Sequence, residues 1–194
     1  EIGRIFWKDD DGFHEAEAVG GIIGGDPRST RWIDSGREQP LTWYAAKGVL
    51  ESVFQRLGLV VTYRPDAADS RLHPGRTASL WVRGRMELGK FGQLHPQLRQ
   101  DRELPAEVYV FQLNWAALAT CLEPMLQKAT KFSAYSTFPA SDRDLAFYAP
   151  LEISVADLEA SMRKAASKLL ESVTLFDEYR GESVPAGQRS LAFR

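Results

Sequence analysis

Cysteine is nearly missing from this sequence: Cys121 is the only one in 194 residues. A single thiol closes no intrachain disulfide and builds no Cys-rich zinc site, which fits a reducing compartment, the cytoplasm by default. Long hydrophobic runs are missing as well. No stretch approaches the roughly 18 apolar residues of a membrane-spanning helix, so no membrane partner is expected. Neither sign of charge is in excess, with 24 Lys and Arg against 26 Asp and Glu and a net charge of -2. That balance excludes a generally basic nucleic-acid-binding domain, and any RNA contact must be local. Histidine is scarce: His14, His73 and His95 are far apart in turn or strand-end contexts with no carboxylate at ligand spacing, so structural roles and no metal site are expected. A starting methionine and a basic-then-apolar leader are both lacking, and the chain reads as a piece of something longer.

What is there is globular, with 44% hydrophobic and 26% charged residues, and long enough for two domains. Two β-rich runs, Ile2 to Trp7 and Glu15 to Ile23, flank "KDDDGF", whose Asp-Asp-Gly chemistry makes a hairpin turn. The later acidic ligands of a calcium loop are lacking. "GGIIGGDP" is rich in glycine but has no P-loop Lys-Ser/Thr ending, and reads as a strand end. From Thr42, the residues Ala46, Val49, Leu50, Val53, Phe54 and Leu57 recur at helical spacing up to Gly58, a C-terminal cap. After a polar loop, "TASLWVRGR" and "MELGKFGQL" pair around Gly84, and "VYVFQLNW" comes after the turn at Pro105. A mostly antiparallel sheet is expected. Glu123 to Ser133 lacks sustained periodicity and reads as a connection between units, while Cys121 among apolar helix formers reads as a buried thiol. No side chain stands out as a nucleophile or as an acid-base pair.

Beyond the connection, "SDRDLAFYAP" is a strand, and "ISVADLEASMRKAASKLL" is an amphipathic helix with a capping box at Ser154 and Asp157. Val155, Leu158, Met162, Ala165 and Leu169 share its apolar face. "SVTLFDEY" and "RSLAFR" are further strands around the loop "RGESVPAGQ". The order strand, helix, strand, strand opens a split β-α-β unit of ferredoxin-like type. Period-two alternation sends Leu145, Phe147, Leu191 and Phe193 toward the helix. It leaves Asp144, Ala146, Tyr148, Ser190, Ala192 and Arg194 on the other face. Small side chains there admit a flat ring, although a bare solvated face fits the same pattern. Alternation does not assign Tyr179, because Val173, Leu175 and Phe176 set apolar residues on both faces.

"FGQLHPQL" followed by "VYVFQLN", and then "YSTFPASDRDLAF" and "LFDEYRGESVPAGQRSLAFR", closely resemble the C-terminal part of the beta subunit of bacterial phenylalanyl-tRNA synthetases. The likeness spans nearly the whole chain and is most specific from Tyr135 onward. It implies an α+β fold in two parts. Residues 1–127 would be a class II synthetase-like catalytic core domain, an antiparallel sheet with helices, that has lost its catalytic motifs. The first hairpin has the class II outline without a Phe-Arg-X-Glu pattern, and a Gly-rich, Arg-ended third motif is lacking. Residues 133–194 would be a ferredoxin-like (β-α-β-β) anticodon-binding domain, C-terminally truncated.

The resemblance assigns tRNA contacts to Ala146, Tyr179 and Ser190, with Tyr179 stacking on a base, Ser190 offering a hydroxyl and Ala146 allowing close approach. Arg143 and Arg180 would be phosphate or structural partners, Arg143 also being placed to pair with Asp142 or Asp144. No catalytic or metal-binding residue is implied in this chain. The implied partners are phenylalanine tRNA and an alpha subunit in a heterotetramer, with ATP and magnesium serving the whole enzyme elsewhere. From Ala134 to Arg194 there are 7 Lys and Arg against 9 Asp and Glu, so long-range attraction of RNA is weak. The rival expectation is a stand-alone protein-interaction module using the same sheet.

Overall fold

Residues of alternating character from Ile2 onward build a hairpin in which β1 (Ile2–Asp9) turns through Asp10 and Asp11 into β2 (Gly12–Gly24). Asp9 pairs with Gly12 across the turn. The computed structural model describes residues 1–25, 41–104, 107–126, 132, 134–166 and 168–194. It divides into two units, Glu1–Lys131 and Phe132–Arg194.

Helix α1 (Trp43–Arg56) starts where the Thr42 hydroxyl accepts the Ala45 N–H at 3.1 Å, and it stops before Gly58, whose φ is 70°. Its buried stripe is Ala46, Leu50 and Phe54. Val49 and Val53, expected on the same face, are exposed. Each precedes a stripe residue by one position and is therefore turned by about 100° from it.

The stretch after Gly58, expected as a polar loop, contains β3 (Val61–Pro65) and the start of β4 (Leu72–Val82). Breaker residues hide β3 in the sequence, yet it is a sheet-edge strand, where Pro65 interrupts no ladder. The turn from β4 into β5 (Met86–Leu94) uses Arg83 and Gly84 at φ 53° and 66°, the left-handed pair that suits a tight hairpin. A short helix not anticipated from the sequence, α2 (Pro96–Asp101), is capped by the His95 ring, whose Nδ1 accepts the Gln97 N–H.

β6 (Val108–Asn114) ends one residue earlier than expected, because Trp115 opens α3 (Trp115–Leu126) and the Asn114 side chain caps it by accepting the Ala117 N–H at 2.9 Å. Helix α3 runs through Glu123 and Pro124, which the sequence assigned to the connection. Leu118, Cys121 and Leu122 pack on the core and explain why helix persists there. Residues 127–131 and 133 of that connection, the turn at Pro105, and Asp26 and Pro27 of the glycine-rich stretch lie outside the described residues.

The six strands pair in the order β1-β2-β6-β5-β4-β3, each neighbour antiparallel. One face carries the core: Leu80, Leu88 and Phe91 are fully buried, and the Trp43 ring sits 4.7 Å from that of Phe91. Side chains of this kind contribute about 1.5–3 kcal/mol each on burial. A polar chain ties three strands together at the same level. Arg76 donates to the Gln93 carbonyl, the Gln93 amide donates to Glu107 at 2.9 Å, and the Tyr109 hydroxyl donates to the same carboxylate at 3.0 Å.

In the second unit, β7 (Leu145–Pro150), α4 (Val155–Ala165), β8 (Leu175–Tyr179) and β9 (Gln188–Phe193) give a three-stranded antiparallel sheet in the order β7-β9-β8. β9 therefore lies between the two strands that the helix connects, the split arrangement expected. The Ser154 hydroxyl accepts the Asp157 N–H at 3.1 Å and donates to the Asp157 carboxylate at 2.6 Å. Val155, Leu158 and Met162 pack over Ala149, Leu191 and Phe193, with Phe147 beside them. The helix is shorter than its apolar pattern. Lys168 and Leu169 lie beyond its end, Ala165 is exposed, and Leu145, expected under the helix, is 54% exposed.

Two of these packed positions are expected to govern stability. Gly89 has φ 147°, and a Cβ there would overlap the Gln112 carbonyl oxygen and stand 2.9 Å from Leu113 Cα. Both obstacles are backbone, so Gly89→Ala is expected to destabilise the fold by about 2 kcal/mol or more, read as a lower urea midpoint. Burial, helped by the hydrogen bond to Glu107, pushes the Tyr109 phenol up to about 12 from its ordinary 10.0. Folding thus favours its neutral form, and that contribution is complete below pH 10 and lost as pH climbs to 12. Urea titrations across this window should show falling stability, with a shallower fall in Tyr109→Phe.

Candidate nucleic-acid interface

Strand β9 holds the site because both of its neighbours are registered on it. Across β7 the pairs are Ala146 with Ala192 and Tyr148 with Ser190, and across β8 they are Asp177 with Ala192 and Tyr179 with Ser190. Residues directly opposite one another in an antiparallel ladder share a face. Ala146, Tyr179 and Ser190, the three contacts implied by resemblance, are therefore brought together on the face away from α4. A row Tyr148–Ser190–Tyr179 crosses the sheet, and beside it runs a row Ala146–Ala192–Asp177. With strands roughly 4.8 Å apart, the two tyrosines flank Ser190 at a separation of about 10 Å. Both tyrosines are about half exposed, Ala146 is exposed, and Ser190 and Ala192 are half-buried.

Tyr179 escaped alternation because β8 is bulged. The register jumps from Leu175 opposite Phe193 to Asp177 opposite Ala192, so Phe176 and Asp177 share one step of the ladder. A bulge inserts one residue and reverses the facing of every later position in the strand. Leu175 consequently packs inward with Phe193, while Phe176 stays exposed with the Arg194 guanidinium 5.2 Å from its ring centre. The sequence signal was the doublet of adjacent apolar residues followed by adjacent acids in "LFDEY". It also concealed Asp177 as a member of the face. When ionised, this carboxylate only accepts hydrogen bonds, which suits the N–H edge of a base and opposes a phosphate.

The arginines are committed within the protein. Arg143 lies ahead of β7 and donates to the Ser141 hydroxyl at 2.9 Å and the Asp142 carbonyl at 2.8 Å. Asp144 is held by Arg194 instead, through two hydrogen bonds of 2.8 Å, and these keep its carboxyl below the usual range. Arg180 grips Glu178 at 2.6 Å. Glu178 stands opposite buried Leu191, and its other oxygen faces the buried Arg189 at 3.6 Å. Arg189 in turn donates to the Ile153 carbonyl at 2.7 Å and pins the entry to α4.

In the first unit, the sheet face away from the helices is concave, an open groove of about 950 Å³ between Gly3, Ala16, Ala18, Lys90, Arg71 and Gln112. Its cations are matched locally: Arg71 chelates Asp69 at 2.7 and 2.9 Å, and Lys90 meets Asp66 at 3.0 Å. The histidines serve nearby backbone or side chains. His14 stacks on Trp7 and bonds Asp9 at 2.7 Å, lowering that carboxyl, and His73 Nδ1 accepts the Gly75 N–H. Cys121, expected buried, is half-buried with its sulfur 3.4 Å from that of Met86. Among the described residues no cluster of three His, Cys, Asp or Glu is placed to hold a metal ion.

Known proteins account for both units. Residues 1–115 match the family model described as the phenylalanyl-tRNA synthetase beta chain CLM domain, and residues 136–194 match the ferredoxin-fold anticodon-binding domain. The phenylalanine–tRNA ligase beta subunit of Trichormus variabilis is 60% identical over all of this chain, that of Synechococcus elongatus 55%, and that of Thermosynechococcus vestitus 55%. The chain spans 24% of the length of each. A β-α-β-β sheet with an exposed face of small and aromatic residues, preceded by an antiparallel sheet that matches the companion domain, is thereby placed: the chain belongs to the phenylalanyl-tRNA synthetase beta chain family.

Proposed function

We propose that this chain supplies the tRNA anticodon-binding face of a phenylalanine–tRNA ligase, and that its first unit is a non-catalytic, class II-like scaffold for the alpha subunit of a cytoplasmic heterotetramer. The row Tyr148–Ser190–Tyr179 on one exposed face carries the reading. A base laid over Ala146 and Ala192 meets no bulky side chain, and stacking on an aromatic supplies about 1–3 kcal/mol. The Ser190 hydroxyl donates or accepts, and Asp177 accepts from a base N–H. Arg143 and Arg180 have intramolecular partners and serve the phosphates only by exchanging them. Domain boundaries at residues 127 and 133 belong to the same proposal.

The six-stranded antiparallel sheet with helices on one face supports the class II-like assignment. The groove on its other face does not fit magnesium-ATP. Arg71 and Lys90 are already neutralised by Asp69 and Asp66, and no acidic triad is present among the described residues. ATP, magnesium and phenylalanine are therefore proposed to engage other parts of the ligase. In the complete ligase, Tyr179→Ala is expected to raise the KM for phenylalanine tRNA about tenfold, or about 1.4 kcal/mol. Phenylalanine-dependent ATP–pyrophosphate exchange should stay unchanged. An equal fall in both activities would make the effect structural and defeat the RNA assignment.

A further inference from the structure

Gly181, two residues past the end of β8, lies against the tip of the Tyr179 side chain. A Cβ built on Gly181 would overlap the Tyr179 Oη and Cζ and stand 2.8 Å from Cε1. The phenol therefore occupies the volume that any side chain at position 181 would fill. The backbone does not otherwise require glycine there, since Gly181 is not among the residues of positive φ. Its position is fixed by a turn, in which the Gly181 carbonyl accepts the Val184 N–H at 3.0 Å. A second turn, from Pro185 to Gln188, leads the chain into β9. The three atoms nearest to a side chain there all belong to Tyr179.

We infer that Gly181 is a positioning residue for tRNA recognition: it gives the Tyr179 ring a flat seat beside the sheet face, and a side chain there swings the ring away from its neighbour Ser190. This rests on the proposed stacking role of Tyr179. The obstacle to a Cβ is the far end of a mobile side chain, not backbone, so the ring can move aside and the variant folds. Stacking, unlike general attraction, depends on where the ring is.

The test is a cycle in the complete ligase, with Gly181→Ala, Tyr179→Ala and the double variant assayed for tRNA charging and for ATP–pyrophosphate exchange. Gly181→Ala is expected to raise the KM for tRNA about fivefold, a loss within the stacking range. The kcat and the exchange rate should hold, and the double variant should match Tyr179→Ala. A further loss of about fivefold in the double variant overturns the inference, since the glycine then acts without the ring. A neutral Gly181→Ala beside an impaired Tyr179→Ala overturns it while the anticodon reading stands. A neutral Tyr179→Ala removes the anticodon reading and this inference with it. Tyr179→Phe does not relieve the overlap, because Cζ remains, so Gly181→Ala should be as harmful in that background as in the original.

Discussion

Burial of Leu191 and Phe193 beneath helix α4 is the constraint on which the proposed interface depends. Both side chains are almost fully enclosed, and the two-residue period of a strand then leaves Ser190 and Ala192 no choice but the opposite face. Because β9 is the central strand, the same burial sets the register of both neighbours. A one-residue slip would bury Ser190 and expose Phe193, at a cost of several kcal/mol by the usual value of buried apolar surface. Ser190, Ala192 and the residues paired with them are thus held in place by hydrophobic packing on the other side of a single layer.

Much of this was legible because the strongest sequence signals are periodic. The stripe of Ala46, Leu50 and Phe54, the capping pair Ser154 and Asp157, and the alternation from Leu145 to Tyr148 all translate directly into local structure. What was illegible depends on tertiary context. β3 survives its proline because it lies at an edge, α3 carries Pro124 because Leu118 and Leu122 pack on the core, and the α2 cap is an imidazole rather than a hydroxyl. Tyr179 could not be oriented because a bulge is a property of two strands, and one strand read alone does not contain it. The seat formed by Gly181 was hidden for a related reason: contact between a ring and a neighbouring turn leaves no period to detect.

Electrostatics in both units are local. Asp144 with Arg194, Glu178 with Arg180 and Arg189, Asp69 with Arg71, and Asp66 with Lys90 each neutralise within a few ångströms. The pair of Asp144 and Arg194 is exposed on both sides and stabilises little, but it occupies the Arg194 guanidinium. A ligand approaching the second sheet meets aromatic rings, a hydroxyl and a carboxylate, which discriminate by shape and hydrogen bonding. Attraction over distance contributes little at such a face.

The step in the ladder at Phe176 also determines which kinds of genetic change this module can absorb. At its present length the strand needs that step: plain alternation over the same five residues would turn the tyrosine inward, and only a strand one residue shorter would keep it opposite Ser190 without a bulge. Any change that straightens the strand without shortening it would therefore take the ring off the face it now shares with Ser190.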